Sequence, residues 1–217
     1  MVRLCSDRDI LKYEPALFGD LYLKNQVIAA GTDGEIAGTT FTAESADFVS
    51  AQVEAGDCIY LKSADGSLEA VFEIVAVDSA TQICVSVLRD DSQADPIAPP
   101  VGTQTTGITY RVSTLRPQIA EVSLRLLQYL GITDAYSTAD EILNADQVRQ
   151  TCAMGVIATA YRTLAGGDNA EILKSKSTEY QRLFGEGLEK SRIFIDFDND
   201  GIADNELYGG CGRLLRQ

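Results

Sequence analysis

The densest run of residues with ligand chemistry lies near the C-terminal end, at Asp196-Phe197-Asp198-Asn199-Asp200-Gly201-Ile202-Ala203-Asp204-Asn205-Glu206. Carboxylates at alternating positions, a glycine for a sharp turn and further acids beyond it are how an EF-hand-like loop surrounds a hard cation with oxygen. That pattern nominates Asp196, Asp198, Asp200, Asp204 and Glu206 as a calcium set. The terminal acid stands one place early for an EF-hand, and Tyr208-Gly209-Gly210 leaves no room for an exiting helix. The competing reading is a negatively charged turn whose Asp side chains bond their own backbone.

Other site chemistry is thin. The chain has no histidine, which removes Ser-His and Cys-His nucleophilic pairs and histidine metal sites together. No Gly-x-x-x-x-Gly-Lys-Ser/Thr loop and no Gly-x-Gly-x-x-Gly is present for phosphates or dinucleotides, and the acids show no spacing diagnostic of glycoside chemistry. The expectation is that the protein is not an enzyme. Cys5, Cys58, Cys84, Cys152 and Cys211 are odd in number and widely spaced, which argues against a disulfide framework or zinc knuckle and for buried or idle thiols.

With 32 acidic against 18 basic residues, the net charge is −14, so electrostatic attachment to nucleic acid or anionic membrane is disfavoured. An acidic surface still suits a protein past which a duplex slides, because repulsion removes the phosphate contacts that give affinity. No signal peptide or membrane span is readable, so synthesis in a cytoplasm is expected.

The elements that must position the acidic loop lie just before it. From about Arg116 to Arg192 the sequence carries helix starts, helix periodicity and helix stops, predicting a helical hairpin with a third helix. Pro117 suits a first turn, and Ile119, Val122, Leu126 and Leu130 share one stripe up to Gly131. Ser137-Thr138 with Glu141 form a capping box. Asn144 to Ala165 combines Val148, Cys152, Ile157, Tyr161 and Leu164 with small residues, Ala153, Gly155, Ala158 and Ala160, that let helices approach closely. Gly166-Gly167 stops that helix. Asp168 starts the third, whose stripe is Leu173, Tyr180, Leu183, Phe184 and Leu188.

Upstream, Ser6-Asp7-Arg8-Asp9 resembles a capped helix start, interrupted by Pro15. Short strands follow around 26–28, 39–42, 58–61, 71–77, 83–88 and 109–112, with turns at Thr32-Asp33-Gly34, Gly56-Asp57, Asp65-Gly66 and Asp78-Ser79. Residues 90–106 read as a long exposed loop. The expected class is α+β: an N-terminal helix (1–22), a small β-barrel or sandwich (23–115), a helical block (116–194), and the Asp-rich loop and tail (195–217). The β module reads as an insertion in an otherwise helical domain.

The Ser6 to Pro15 opening, the Pro117 to Leu164 helix pair with Asn144-Ala145-Asp146 between its members, and the polar C-terminal extension together resemble the head-to-tail adaptor family of tailed bacteriophages. The resemblance implies a structural protein of the virion neck. Its subunits would form a dodecameric ring between the portal protein and a stopper or tail-completion protein, through which DNA passes without specific binding. The acidic loop is also similar to the shorter calcium loops of dockerin-like and thrombospondin-like repeats, usually present in two copies where this chain has one. The alternative class is therefore a calcium-dependent binding module that uses this loop and the β region. In the tail, Arg213, Leu214, Leu215 and Arg216 place an apolar pair between positive charges, a pattern suited to a partner's groove and, in the adaptor reading, to the portal. The alternative there is a tail folded back on its own helices.

Overall fold

The computed structural model describes residues 3–102, 104–130, 142–166, 169–196, 198 and 200–208. The chain forms two compact units, one of residues up to Ile10 together with those from Leu115 onward, the other of Leu11–Thr114. The class is α+β, with four α-helices among the described residues and a closed six-stranded antiparallel barrel.

In the first unit, α1 (Asp7–Leu11) starts on Ser6, whose N–H and Oγ both donate to Asp9 Oδ2 at 2.9 Å. The backbone N–H groups of Asp9 and Ile10 return to the Ser6 carbonyl, so donors that a helix start leaves open are satisfied locally. Asp7 is 2% exposed, and its Oδ1 accepts the N–H of Leu115 at 2.9 Å. Leu115 caps α2 (Arg116–Tyr129), whose own first turn has no acid, so Asp7 brings a carboxylate to a helix end that favours negative charge. Ile119, Val122 and Leu126 are buried along α2, and Leu130 is buried just past it.

The next helix, α3 (Ala145–Leu164), is buried on nearly every side, including Val148, Cys152, Ala153, Val156, Ile157, Ala160 and Tyr161, as befits a helix packed against both α2 and α4 (Ala170–Lys190). The small residues do allow close approach. A Cβ on Gly155 would stand 2.7 Å from Val122 Cγ1 and 2.8 Å from Phe184 Cδ2. Along α4, Leu173 and Phe184 are buried and Tyr180, Leu183 and Leu188 half-buried. Asn169 caps α4, one place later than the expected Asp168. Asp168 lies outside the described residues, as do Gly131, Ser137, Thr138, Glu141 and Gly167.

The barrel joins β1 (Val27–Ala37), β2 (Thr40–Ala43), β3 (Cys58–Lys62), β4 (Glu69–Val77), β5 (Gln82–Ser86) and β6 (Thr106–Ser113) in the order β1-β2-β5-β4-β3-β6, closing back on β1. Closure leaves these strands no open edge. Phe41, Phe48 and Tyr110 fill the interior with ring centroids 5.3 to 6.4 Å apart. The Gly56, Gly66 and Asp78-Ser79 turns occur as expected, but Thr32-Asp33-Gly34 does not reverse the chain. These residues lie within an eleven-residue strand whose pairing to β6 shifts register between Gly31 and Gly34. A Cβ on Gly31 would meet the Tyr110 ring at 2.7 Å, and one on Gly34 would meet the Phe41 ring at 2.6 Å, so the glycines let the bulged strand cross the aromatic core.

The long loop after β5 is more anchored than its composition suggests. Ile97 N–H donates to Ser86 Oγ at 2.8 Å, Val87 N–H donates to the Ile97 carbonyl at 2.9 Å, and Pro99 is buried. Arg89 bridges Glu73, on β4 and 0% exposed, to the Ala94 carbonyl through its Nε and Nη1. At the β3–β4 turn, the hydroxyls of Ser63 and Ser67 and the Ser67 N–H all donate to Asp65 Oδ1 and hold its carboxyl down at about 2. Burial, together with donation to Glu69 at 2.7 Å, pushes the nearby Tyr60 hydroxyl up to about 12.

Candidate functional site

The acidic loop is the tip of a hairpin that four-residue runs build on the end of the helical unit. Ser191 ends α4 with extended backbone while its Oγ donates to the Gly187 carbonyl at 2.7 Å, turning the chain into β7 (Arg192–Ile195). Ile193 and Ile195 are buried and Arg192 is exposed, the alternation of a half-buried strand. β7 pairs with β8 (Asn205–Tyr208) in antiparallel register, from Arg192 opposite Tyr208 to Ile195 opposite Asn205. Both strands are additions to the sequence reading, which placed the end of the third helix near Arg192 and left the rest as loop and tail.

The other side of β7 is held by the segment ahead of α3. Ile142 bridges to Ile195, and Leu143 N–H donates to the Phe194 carbonyl at 3.0 Å. Asn144 accepts the Phe194 N–H at 2.9 Å and donates its Nδ2 to the Arg192 carbonyl. An Asn before a helix normally reads as a cap. Here its side chain serves the neighbouring strand instead, and α3 has no side-chain cap bond from it.

Asp196 follows β7 and is 1% exposed. Its Oδ1 accepts the Asp200 N–H at 3.2 Å and its Oδ2 the Gly201 N–H at 2.7 Å. Gly201 has φ of +84°, a conformation that favours glycine, and the Asp204 N–H closes the loop on the Ile195 carbonyl at 2.8 Å. The fold thereby brings one carboxylate oxygen each of Asp196, Asp198 and Asp204 within 4.8 Å of one another, Asp198 and Asp204 being exposed.

Two of the five nominated ligands are not in that group. Asp200 Oδ1 accepts the Ile202 N–H at 2.7 Å, an Asx turn within the loop. Glu206 pairs with the Arg192 guanidinium, which also lies over the Phe194 ring at 4.9 Å. Each is drawn to a local partner rather than to the loop centre. Arg213, Leu214, Leu215 and Arg216 lie outside the described residues.

Three carboxylates at this spacing offer a hard cation an incomplete oxygen shell, since calcium takes about 6–8 ligands. Backbone carbonyls and water would complete it. The two N–H donors on Asp196 also offset part of the repulsion between the acids, so the arrangement fits a self-bonded turn as well as a cation site.

Comparison with protein-family models, curated proteins and solved structures finds no match for this chain, so a functional reading rests on its own residues and their geometry.

Proposed function

We propose that the chain is a structural head-to-tail adaptor of a tailed bacteriophage, one subunit of a ring beneath the portal through which DNA passes. The observation that carries this reading is where the adaptor-like segments lie. The Ser6 to Ile10 part of the opening and the Pro117 to Leu164 helix pair, far apart in sequence, belong to one compact unit, while Leu11–Thr114 forms the other. Asp7 bonded to Leu115 and Leu4 bonded to Ser123 tie the opening to α2 directly. A closed barrel with a ring-packed interior suits a structural role, and the net charge of −14 suits a channel wall that a duplex does not stick to.

In this reading the partners are the portal on one side and a stopper or tail-completion protein on the other. The role requires no catalysis. The test is to mix the purified chain with the portal of its own particle and image the product by electron microscopy. Ring density gained at the narrow end of the portal is the expected result, and a portal that gains none while it accepts other neck components overturns the reading.

The clustering of Asp196, Asp198 and Asp204 favours a second reading, a calcium-dependent binding module. Calorimetric titration with calcium separates the two. Binding heat that disappears in an Asp198→Ala, Asp204→Ala double variant supports a cation loop, and heat unchanged by the double variant removes it.

A further inference from the structure

We infer that Cys5 and Cys152 are a disulfide-forming pair, a covalent staple between the N-terminal segment and α3 that closes by exchange with a small-molecule disulfide. Their Sγ atoms stand 3.2 Å apart, inside the helical unit, although 147 positions separate the residues in sequence. Both thiols are free and buried. A protein disulfide needs the sulfurs at about 2.05 Å, so the closing movement is on the order of 1 Å.

The backbone around Cys5 is already fixed for that step. On its N-terminal side, Leu4 N–H donates to Ser123 Oγ at 3.0 Å, and the same hydroxyl lies 3.4 Å from Cys152 Sγ. On its C-terminal side, Ser6 is held by Asp9, and Asp7 by Leu115. The pair is therefore clamped from both sides of Cys5. Cys58 and Cys84 lie in the barrel unit.

Exchange proceeds in two balanced steps. Cys5 loses its proton to solvent in a local opening of the helical unit, and its thiolate attacks a disulfide RSSR to give Cys5–S–S–R and RS⁻. Cys152 then loses its proton and attacks the Cys5 sulfur, expelling the second RS⁻. Two protein thiols are oxidised by two electrons, RSSR is reduced by two, and the released protons end on two RSH. In the packed state the hydrogen bond to Cys152, and then burial, hold the Cys5 thiol well above the usual cysteine range, so the thiolate forms on opening, and because attack needs a thiolate, closure quickens as pH rises.

The test incubates the full chain with oxidised glutathione, blocks remaining thiols under denaturing conditions, and maps the peptides by mass spectrometry. The expected result is a Cys5–Cys152 linkage, formed faster at higher pH, and a thermal midpoint for the helical unit raised by roughly 10 °C because the closed loop is long. Dithiothreitol reverses both, and Cys5→Ser abolishes both. Should that variant fail to fold, peptide mapping of the unaltered chain still decides. Cys5 and Cys152 both recovered as free thiols after prolonged oxidation, or Cys5 linked to Cys58, Cys84 or Cys211 instead, overturns the inference.

Discussion

Substituting Gly155 by alanine tests the packing of the helical unit, because two opposed terms of known size meet at one atom. Alanine favours a helix interior over glycine by about 1 kcal/mol, so an unhindered site gains stability. At Gly155 the new methyl would lie 2.7 Å from Val122 Cγ1 on α2 and 2.8 and 2.9 Å from two ring atoms of Phe184 on α4. Val122 is 2% and Phe184 9% exposed, so neither side chain has solvent to move into, and relief requires α2 and α4 to retreat together. Overpacking of this kind costs about 1–3 kcal/mol. The net expectation is a loss of about 0–2 kcal/mol, centred near 1, a fall of a few degrees in the midpoint of the helical transition. Gly185→Ala on α4 is the internal control: nothing lies within 4 Å of its added Cβ, so the same change there should raise stability by up to about 1 kcal/mol. Denaturant titration followed by far-ultraviolet circular dichroism reads both. Gly155→Ala that gains as much stability as Gly185→Ala would refute the close approach of the three helices, and adding Val122→Ala should return part of any loss.

Glu73→Ala should destabilise the barrel by about 3–5 kcal/mol in chemical denaturation, because it leaves the buried Arg89 guanidinium without its carboxylate. Asp65→Asn should flatten the acid limb of the stability curve. The parent carboxyl is held at about 2, so its stabilising contribution is complete above the unfolded value of about 3.9 and disappears as pH falls through about 2. Stability that falls with acid equally in parent and variant would remove the Ser63 and Ser67 hydroxyls as its cause.

The helices were legible because burial every three to four residues leaves its mark locally, as at Ile119, Val122 and Leu126. The barrel's membership was legible from strand composition, but its order was not, since pairings such as β1 with β6 depend on contacts far apart in sequence. Thr32-Asp33-Gly34 misled because Asp and Gly serve turns and bulges alike, and only the Tyr110 and Phe41 rings decide between them. β7 and β8 were hidden by their length, four residues each beside a loop with a stronger signal. In that loop, alternation marked the stretch in which Asp196, Asp198 and Asp204 come within 4.8 Å of one another. It could not show that Ile202 N–H claims Asp200 or that Arg192 claims Glu206. The approach of Cys5 to Cys152 had no sequence signal at all, because packing alone brings them together.

The most direct measurement of the adaptor assignment is reconstitution of infectivity. DNA-filled heads and free tails are prepared from particles made without this protein, the purified chain is added, and infectious titre is counted. The adaptor reading requires few or no joined particles before addition and a rise of several orders of magnitude after it, saturating with the amount of protein added. Heads and tails that join to full titre without the protein, or that gain nothing from it while remaining competent with a complementing extract, would contradict the assignment.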